Sequence, residues 1–88
     1  MAKWKIVFSQ RAEKDWKLVL TSEYKEKVTD LLNLLECDPF QDPPPVKKLQ
    51  GDLSGAYSRR INHQHRLVYR LDKTKKIVNI IMMWLHYE

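Results

Sequence analysis

At 88 residues, 43% hydrophobic and 31% charged, the chain has room for one domain spanning residues 1–88 and none for a second folded unit. That balance excludes intrinsic disorder, and a lone Cys37 excludes an internal disulfide and, with no Cys/His cluster, argues against a structural zinc site. Sixteen Lys and Arg against eleven Asp and Glu give a formal charge of +5, which favours polyanionic partners.

Trp4, Ile6 and Phe8 alternate with Lys3, Lys5 and Val7, the period of a first strand with one face buried, and Ser9 closes it as a helix N-cap. Ala12, Trp16, Val19 and Leu20 then recur at helical spacing. After the polar break at Thr21-Ser22, Tyr24, Val28, Leu31, Leu32 and Leu35 do so more strongly. Two amphipathic helices in succession make a hairpin, and the second ends by Asp38-Pro39 because a residue before proline is pushed out of the helical region. The run Gln41-Asp42-Pro43-Pro44-Pro45 is an extended surface connection.

Lys47 to Leu53 reads as a short edge strand, followed by turn chemistry at Ser54-Gly55. Tyr57 to Ile61 and Arg66 to Leu71 flank the polar interruption Asn62-His63-Gln64-His65, a hairpin. Ile77 to Leu85 is apolar on both parities except at Asn79, the pattern of a central strand buried on both faces. The pattern predicts an α+β fold, two N-terminal helices on one face of a mainly antiparallel sheet of four to five strands. The uncovered face is where a ligand would lie. Trp4, Trp16 and Trp84 are expected in the core, and no apolar run is long enough to span a bilayer. A soluble, cytoplasmic protein is expected.

Charge is concentrated late in the chain. Nine of the sixteen Lys and Arg lie between Val46 and Lys76, with only Asp52 and Asp72 to oppose them. One cationic region fits a phosphate-binding surface better than a scattered excess does. Arg66 shares a strand face with Val68 and Arg70, while Leu67 and Tyr69 turn the other way. His86 supplies an imidazole whose ordinary pKa, near 6.5, suits proton delivery at neutral pH, and Tyr87 beside it supplies a phenol able to stack on a base. The plain alternatives are a solvated strand arginine and a surface histidine at a chain end.

The segments Leu53-Ser54-Gly55, Ser58-Arg59-Arg60-Ile61, His65-Arg66-Leu67-Val68-Tyr69 and the terminal His86-Tyr87 resemble the YoeB/Txe branch of the RelE/ParE toxin superfamily. Its members are small bacterial endoribonucleases that cut messenger RNA on the ribosome. The resemblance implies a RelE-like fold, no metal or other cofactor, and attack of a ribose 2′-hydroxyl on the adjacent phosphate. It further implies a toxin–antitoxin pair in which a cognate antitoxin protein blocks the cationic face, and it is compatible with a homodimer. By the same resemblance Arg66 neutralises phosphate charge, His86 is the general acid and Tyr87 positions the nucleotide. Arg60, Lys48 and Arg70 are then candidate RNA contacts, and His65 supports Arg66. Arg59 is expected to pack along its stem or to be solvated.

The family's Pro-Glu-Pro-Leu-Lys-x-x-Leu-Ser-Gly segment aligns with Val46 to Gly55, which puts Lys47 where the family has its catalytic glutamate and Gln50 where it has lysine. Two readings follow. Lys47 or Lys48 takes the 2′ proton in place of the glutamate, or Lys47 grips phosphate and the protein is a noncatalytic basic module that binds RNA or the ribosome and stalls translation without cutting.

Overall fold

Burying Ile6 and Phe8 while leaving Lys5 and Val7 outside requires an extended segment, and β1 (Lys5–Phe8) supplies it in a computed structural model that describes residues 3–84. Ser9 ends the strand and starts the first helix. Its Oγ accepts from the Ala12 backbone N–H at 3.0 Å and donates to the Ile81 carbonyl at 2.7 Å, so one hydroxyl joins a helix cap to the C-terminal strand. Ser9→Ala is expected to lower the unfolding free energy by about 1 kcal/mol, read from the midpoint shift of urea unfolding.

Helices α1 (Gln10–Leu20) and α2 (Lys25–Cys37) bury Ala12, Asp15 and Val19, and Val28, Leu31 and Leu35. They break at the predicted place, where Ser22 Oγ donates to the Val19 carbonyl at 2.8 Å. Asp38 leaves the helical region as the cap of α2, as the following proline demands.

Four further strands follow: β2 (Lys47–Lys48), β3 (Tyr57–Arg60), β4 (Arg66–Asp72) and β5 (Ile77–Met82). They join β1 in one five-stranded sheet of order β1-β5-β4-β3-β2. The β1–β5 pair is parallel and the others are antiparallel. The sheet is therefore mixed, with two helices packed on it, an α+β fold as predicted.

Two expectations are corrected. The strand read at Lys47 to Leu53 lasts two residues, because a short 3-10 turn takes over at Gly51–Leu53, with Gly51 at φ 69° where a side chain would strain the backbone. The β5 segment is interior to the sheet but is not buried on both faces: Val78 and Ile80 are buried, whereas Asn79 is exposed. On that face Asn79 lies between Val7 of β1 and Arg70 of β4, and no helix of the core covers it.

Strand register settles which residues share a face. Ile6, Phe8, Val78, Ile80, Leu67, Tyr69 and Leu71 share one parity and form the core with the buried residues of both helices. The opposite parity carries Lys5, Val7, Ile77, Asn79, Met82, Asp72, Arg70, Val68, Arg66, Arg60, Ser58 and Lys47. Five of those twelve are cations and one, Asp72, is an acid. A bulge at Ile81, opposite Val68 and Tyr69, interrupts the β4–β5 ladder where β5 approaches its end.

Candidate active site and nucleic-acid interface

The β3–β4 hairpin places Arg60 directly opposite Arg66, and Lys47 pairs with Ser58 one step away on the same face. Like charges facing each other across strands repel. Among the described residues, ion pairs join Lys3 to Glu36 and Arg11 to Asp15, and none involves Lys47, Arg60 or Arg66. A bound anion would turn this repulsion into attraction.

The three cations line one groove of about 740 Å³. Its other walls are Lys27, Asp30, Leu31 and Leu34 of α2, the proline segment Pro44-Pro45-Val46, and Ser58. Because β2 is only two residues long, the Arg59–Arg60 end of β3 has no strand partner on that side. The groove thus combines an apolar wall with guanidinium and ammonium donors.

Not every predicted contact joins it. Lys48 pairs with Tyr57 and so has the opposite parity to Lys47. Arg70 shares the Arg66 face, but its Nη1 donates to the Ser54 carbonyl at 2.8 Å and lies 3.2 Å from where a Cβ on Gly55 would stand. That arginine is committed to the turn after β2. Gly55 at φ 88° admits both the backbone angle and the close guanidinium.

His65 is 4% exposed, its ring stacked on Trp84 at a centroid distance of 3.7 Å and an interplanar angle of 12°. Its backbone N–H donates to Asn62 Oδ1 at 2.8 Å, and that oxygen also accepts from Gln64 N at 2.7 Å. The start of β4, and with it Arg66, is thereby held at both backbone and ring. His63 is exposed. His86 and Tyr87 lie outside the described residues.

Arg59 overturns its expectation. It is 1% exposed, and its guanidinium donates to the Pro44 carbonyl at 2.8 Å, the Pro39 carbonyl at 3.0 Å and the Tyr69 hydroxyl at 3.1 Å. Carbonyl oxygens of the proline segment take the place of solvent around the charge. Neither hydropathy nor spacing foretold this, since the acceptors are backbone atoms 15 and 20 residues away.

Burial raises the pKa of Tyr69 from the usual 10.0, and the Arg59 hydrogen bond and charge oppose the shift. The folded state therefore favours the neutral phenol. Its contribution to stability is complete below pH 10 and is lost as pH rises through the higher folded value. Unfolding free energy is expected to fall more steeply above pH 10 in wild type than in Tyr69→Phe, as urea midpoints across that range would show.

A second unforeseen residue is Asp15. It is 5% exposed, and its Oδ2 meets the backbone N–H groups of Met83 and Trp84. The signal was present in the sequence: Asp15 lies on the helix face of Ala12 and Val19, where an acid needs a buried partner. Among the described residues no group of three or more His, Cys, Asp or Glu is placed to hold a metal ion, and no helix is long and apolar enough to cross a membrane.

Residues 8–87 match the model of a family described as YoeB-like toxin of bacterial type II toxin-antitoxin system. A YoeB toxin of Streptomyces coelicolor is 37% identical over 87 residues, covering 94% of this chain and 99% of the relative. Among solved structures, the YoeB–YefM complex from Staphylococcus aureus is similar at a TM-score of 0.79 with 34% identity, over 98% of this chain and 100% of that one. The YoeB dimer from the same organism is similar at a TM-score of 0.76 with 34% identity, over the same shares of the two chains.

Proposed function

The chain belongs to the YoeB-like toxins of bacterial type II toxin–antitoxin systems, and from that premise we propose that it is a ribosome-dependent messenger RNA endoribonuclease. One observation carries the reading: Lys47, Arg60 and Arg66 line a single groove, with two arginines opposed across the hairpin and no carboxylate paired to either among the described residues.

The reaction needs three services at one phosphate. A base removes the 2′ proton, and the freed oxygen bonds to phosphorus. Donors neutralise the added negative charge on the phosphorane. The bond from phosphorus to the 5′-oxygen then breaks, and that oxygen takes a proton, leaving a 2′,3′-cyclic phosphate and a 5′-hydroxyl. Arg66 neutralises the phosphorane, with Arg60 opposite it gripping a neighbouring phosphate. His86 supplies the leaving-group proton, and Tyr87 stacks on the nucleotide. Lys47, at the family's glutamate position, is the base. His65 keeps Arg66 in place through the Trp84 stack.

The same groove suits an antitoxin segment that sets apolar side chains against Leu31, Leu34 and the prolines and carboxylates against the cations. The likeness to a YoeB–YefM complex supports such a partner, and the likeness to a YoeB dimer supports self-association. A cytoplasmic site of action follows from the substrate.

Lys47→Glu tests the base assignment. Restoring a carboxylate is expected to raise the cleavage rate on message-programmed ribosomes at neutral pH by about 10-fold or more. An unchanged rate would remove the proton-abstraction role from this position. The second reading, a noncatalytic RNA-binding module, is favoured by one feature, the lysine itself, and analysis of message ends separates the two because a binder stalls translation without making new ends.

A further inference from the structure

Phe40 stands 49% exposed on a turn that is firmly held. Its backbone N–H donates to Asp38 Oδ1 at 3.0 Å, and the carbonyl before it, that of Pro39, accepts from Arg59 Nη2 at 3.0 Å and from the Tyr69 hydroxyl at 3.2 Å. A single apolar side chain on a surface is ordinary. The surroundings of this one are not. Lys73 Nζ lies over the ring, 5.6 Å from its centroid, and the Trp4 ring meets it edge-on at a centroid distance of 5.8 Å.

The neighbourhood is cationic. Lys73 opens the turn between β4 and β5, followed by Lys75 and Lys76, and all three are exposed. The Lys76 carbonyl accepts from the Lys5 backbone N–H at 2.9 Å, which brings exposed Lys5 to the same end of the sheet. The acids that these segments carry are engaged: Glu36 with Lys3 at 3.4 Å, Asp38 with the Phe40 N–H, and Asp72 with the Lys75 N–H at 3.0 Å. Among the described residues none of Lys5, Lys73, Lys75 and Lys76 joins an ion pair. This patch is separate from the groove. Strand β4 is seven residues long and begins at Arg66, so at about 3.3 Å per residue its far end, where the lysine turn starts, lies about 20 Å from the opposed arginines.

An aromatic face among ammonium groups suits a strand of RNA whose bases are unpaired. Every base has a π-face to lay on the ring, and the lysines meet the phosphates beside it. A duplex keeps its base faces stacked inside, and an acidic peptide would use the charges without the ring. We propose that Phe40, Lys73, Lys75 and Lys76 form a second RNA-binding surface, with an unpaired base stacked on Phe40 and flanking phosphates on the lysines. Lys73 is long enough to yield the ring face to a base and swing to the adjoining phosphate. The proposal goes beyond the cleavage reading, because binding here calls for no reaction and uses none of Lys47, Arg60 and Arg66.

The test is anisotropy of a fluorescein-labelled, unstructured 2′-O-methyl RNA of about 12 nucleotides, which has no 2′-hydroxyl to attack and stays uncut, titrated with the full-length chain. Phe40→Leu keeps an apolar side chain against Trp4 but has no π-face, and is expected to weaken binding about 10-fold, with Phe40→Tyr within about twofold of wild type. On an abasic strand of the same length, Phe40→Leu and wild type bind alike. The Phe40→Leu loss is the same in an Arg66→Ala background, because groove and patch are separate sites. Changing Lys73, Lys75 and Lys76 together to Gln is expected to weaken both strands about 10-fold or more and to reduce the slope of log affinity against log salt by about 2. The same change at Lys14, Lys17 and Lys25, an equal loss of charge on the helices, should reduce that slope by less than about 0.5.

Equal affinity of wild type and Phe40→Leu for the base-bearing strand would overturn the proposal, and so would an equal effect of the two lysine triples. The lysine comparison involves only exposed positions and decides the matter should position 40 not tolerate leucine. Intact message on ribosomes with the wild-type chain would instead refute the cleavage reading and leave this surface standing.

Discussion

Arg66→Ala is expected to slow cleavage of ribosome-bound message by about 100- to 1,000-fold, the loss typical of removing one preorganised donor from a developing oxyanion. Arg66 faces Arg60 across the hairpin with no ion pair among the described residues, so its donors are not committed to a carboxylate. The position is also rigid, because β4 starts from a histidine pinned by Asn62 and Trp84. Arg66→Lys would keep the charge but lose the planar fork that two phosphate oxygens can accept from, and is expected to recover only part of the rate. Stability should hardly change in either variant, since Arg66→Ala relieves the repulsion between two opposed cations and Arg66→Lys leaves the charge pattern as it was. Single-turnover rates beside urea midpoints would separate these effects.

Arg59→Ala is expected to act the other way, through folding. Its guanidinium satisfies the Pro39 and Pro44 carbonyls and the Tyr69 hydroxyl in a site that is 1% exposed. Truncation leaves these groups short of a donor and opens a void, together expected to cost about 3–5 kcal/mol. A domain of this size has about 5–15 kcal/mol in all, so the variant should be largely unfolded in mild urea. Arg59→Lys cannot span three acceptors in different directions and is expected to fall between alanine and wild type. Whatever fraction stays folded should still cut poorly, because the Pro44 contact anchors the segment that leads to Lys47.

How much of this was legible beforehand depended on the range of the interactions. Local rules served well: the Ser9 cap, the break at Thr21-Ser22 and the stop at Asp38-Pro39 each rest on contacts within a few residues, and all three are found. The parity of β4 placed Arg66 on the face away from the core, because the side-chain period of a strand is two. The same rule applied one strand over would have separated Lys47 from Lys48, had the register of β2 been known. Register comes from pairing, which a single chain does not display.

Long-range polar contacts were the hidden part. Arg59 reads as one of two adjacent surface arginines until the proline segment folds back over it. Asp15 reads as one more acid in a charged helix until β5 ends against it, 68 residues later in the chain. Both are buried charges satisfied chiefly by backbone atoms, and backbone atoms leave no trace in composition or periodicity. The resemblance to a toxin family reached further than either rule, since residues 8–87 match the model of that family, which no local pattern could supply.

The most direct test is the chemistry of the cut ends. Purified ribosomes programmed with a defined message, incubated with the chain in the presence of EDTA, are expected to yield fragments bearing a 2′,3′-cyclic phosphate and a 5′-hydroxyl, formed about 100-fold or more slowly with Arg66→Ala. Intact message on stalled ribosomes with the wild-type chain would contradict the account and leave a binder in place of a nuclease.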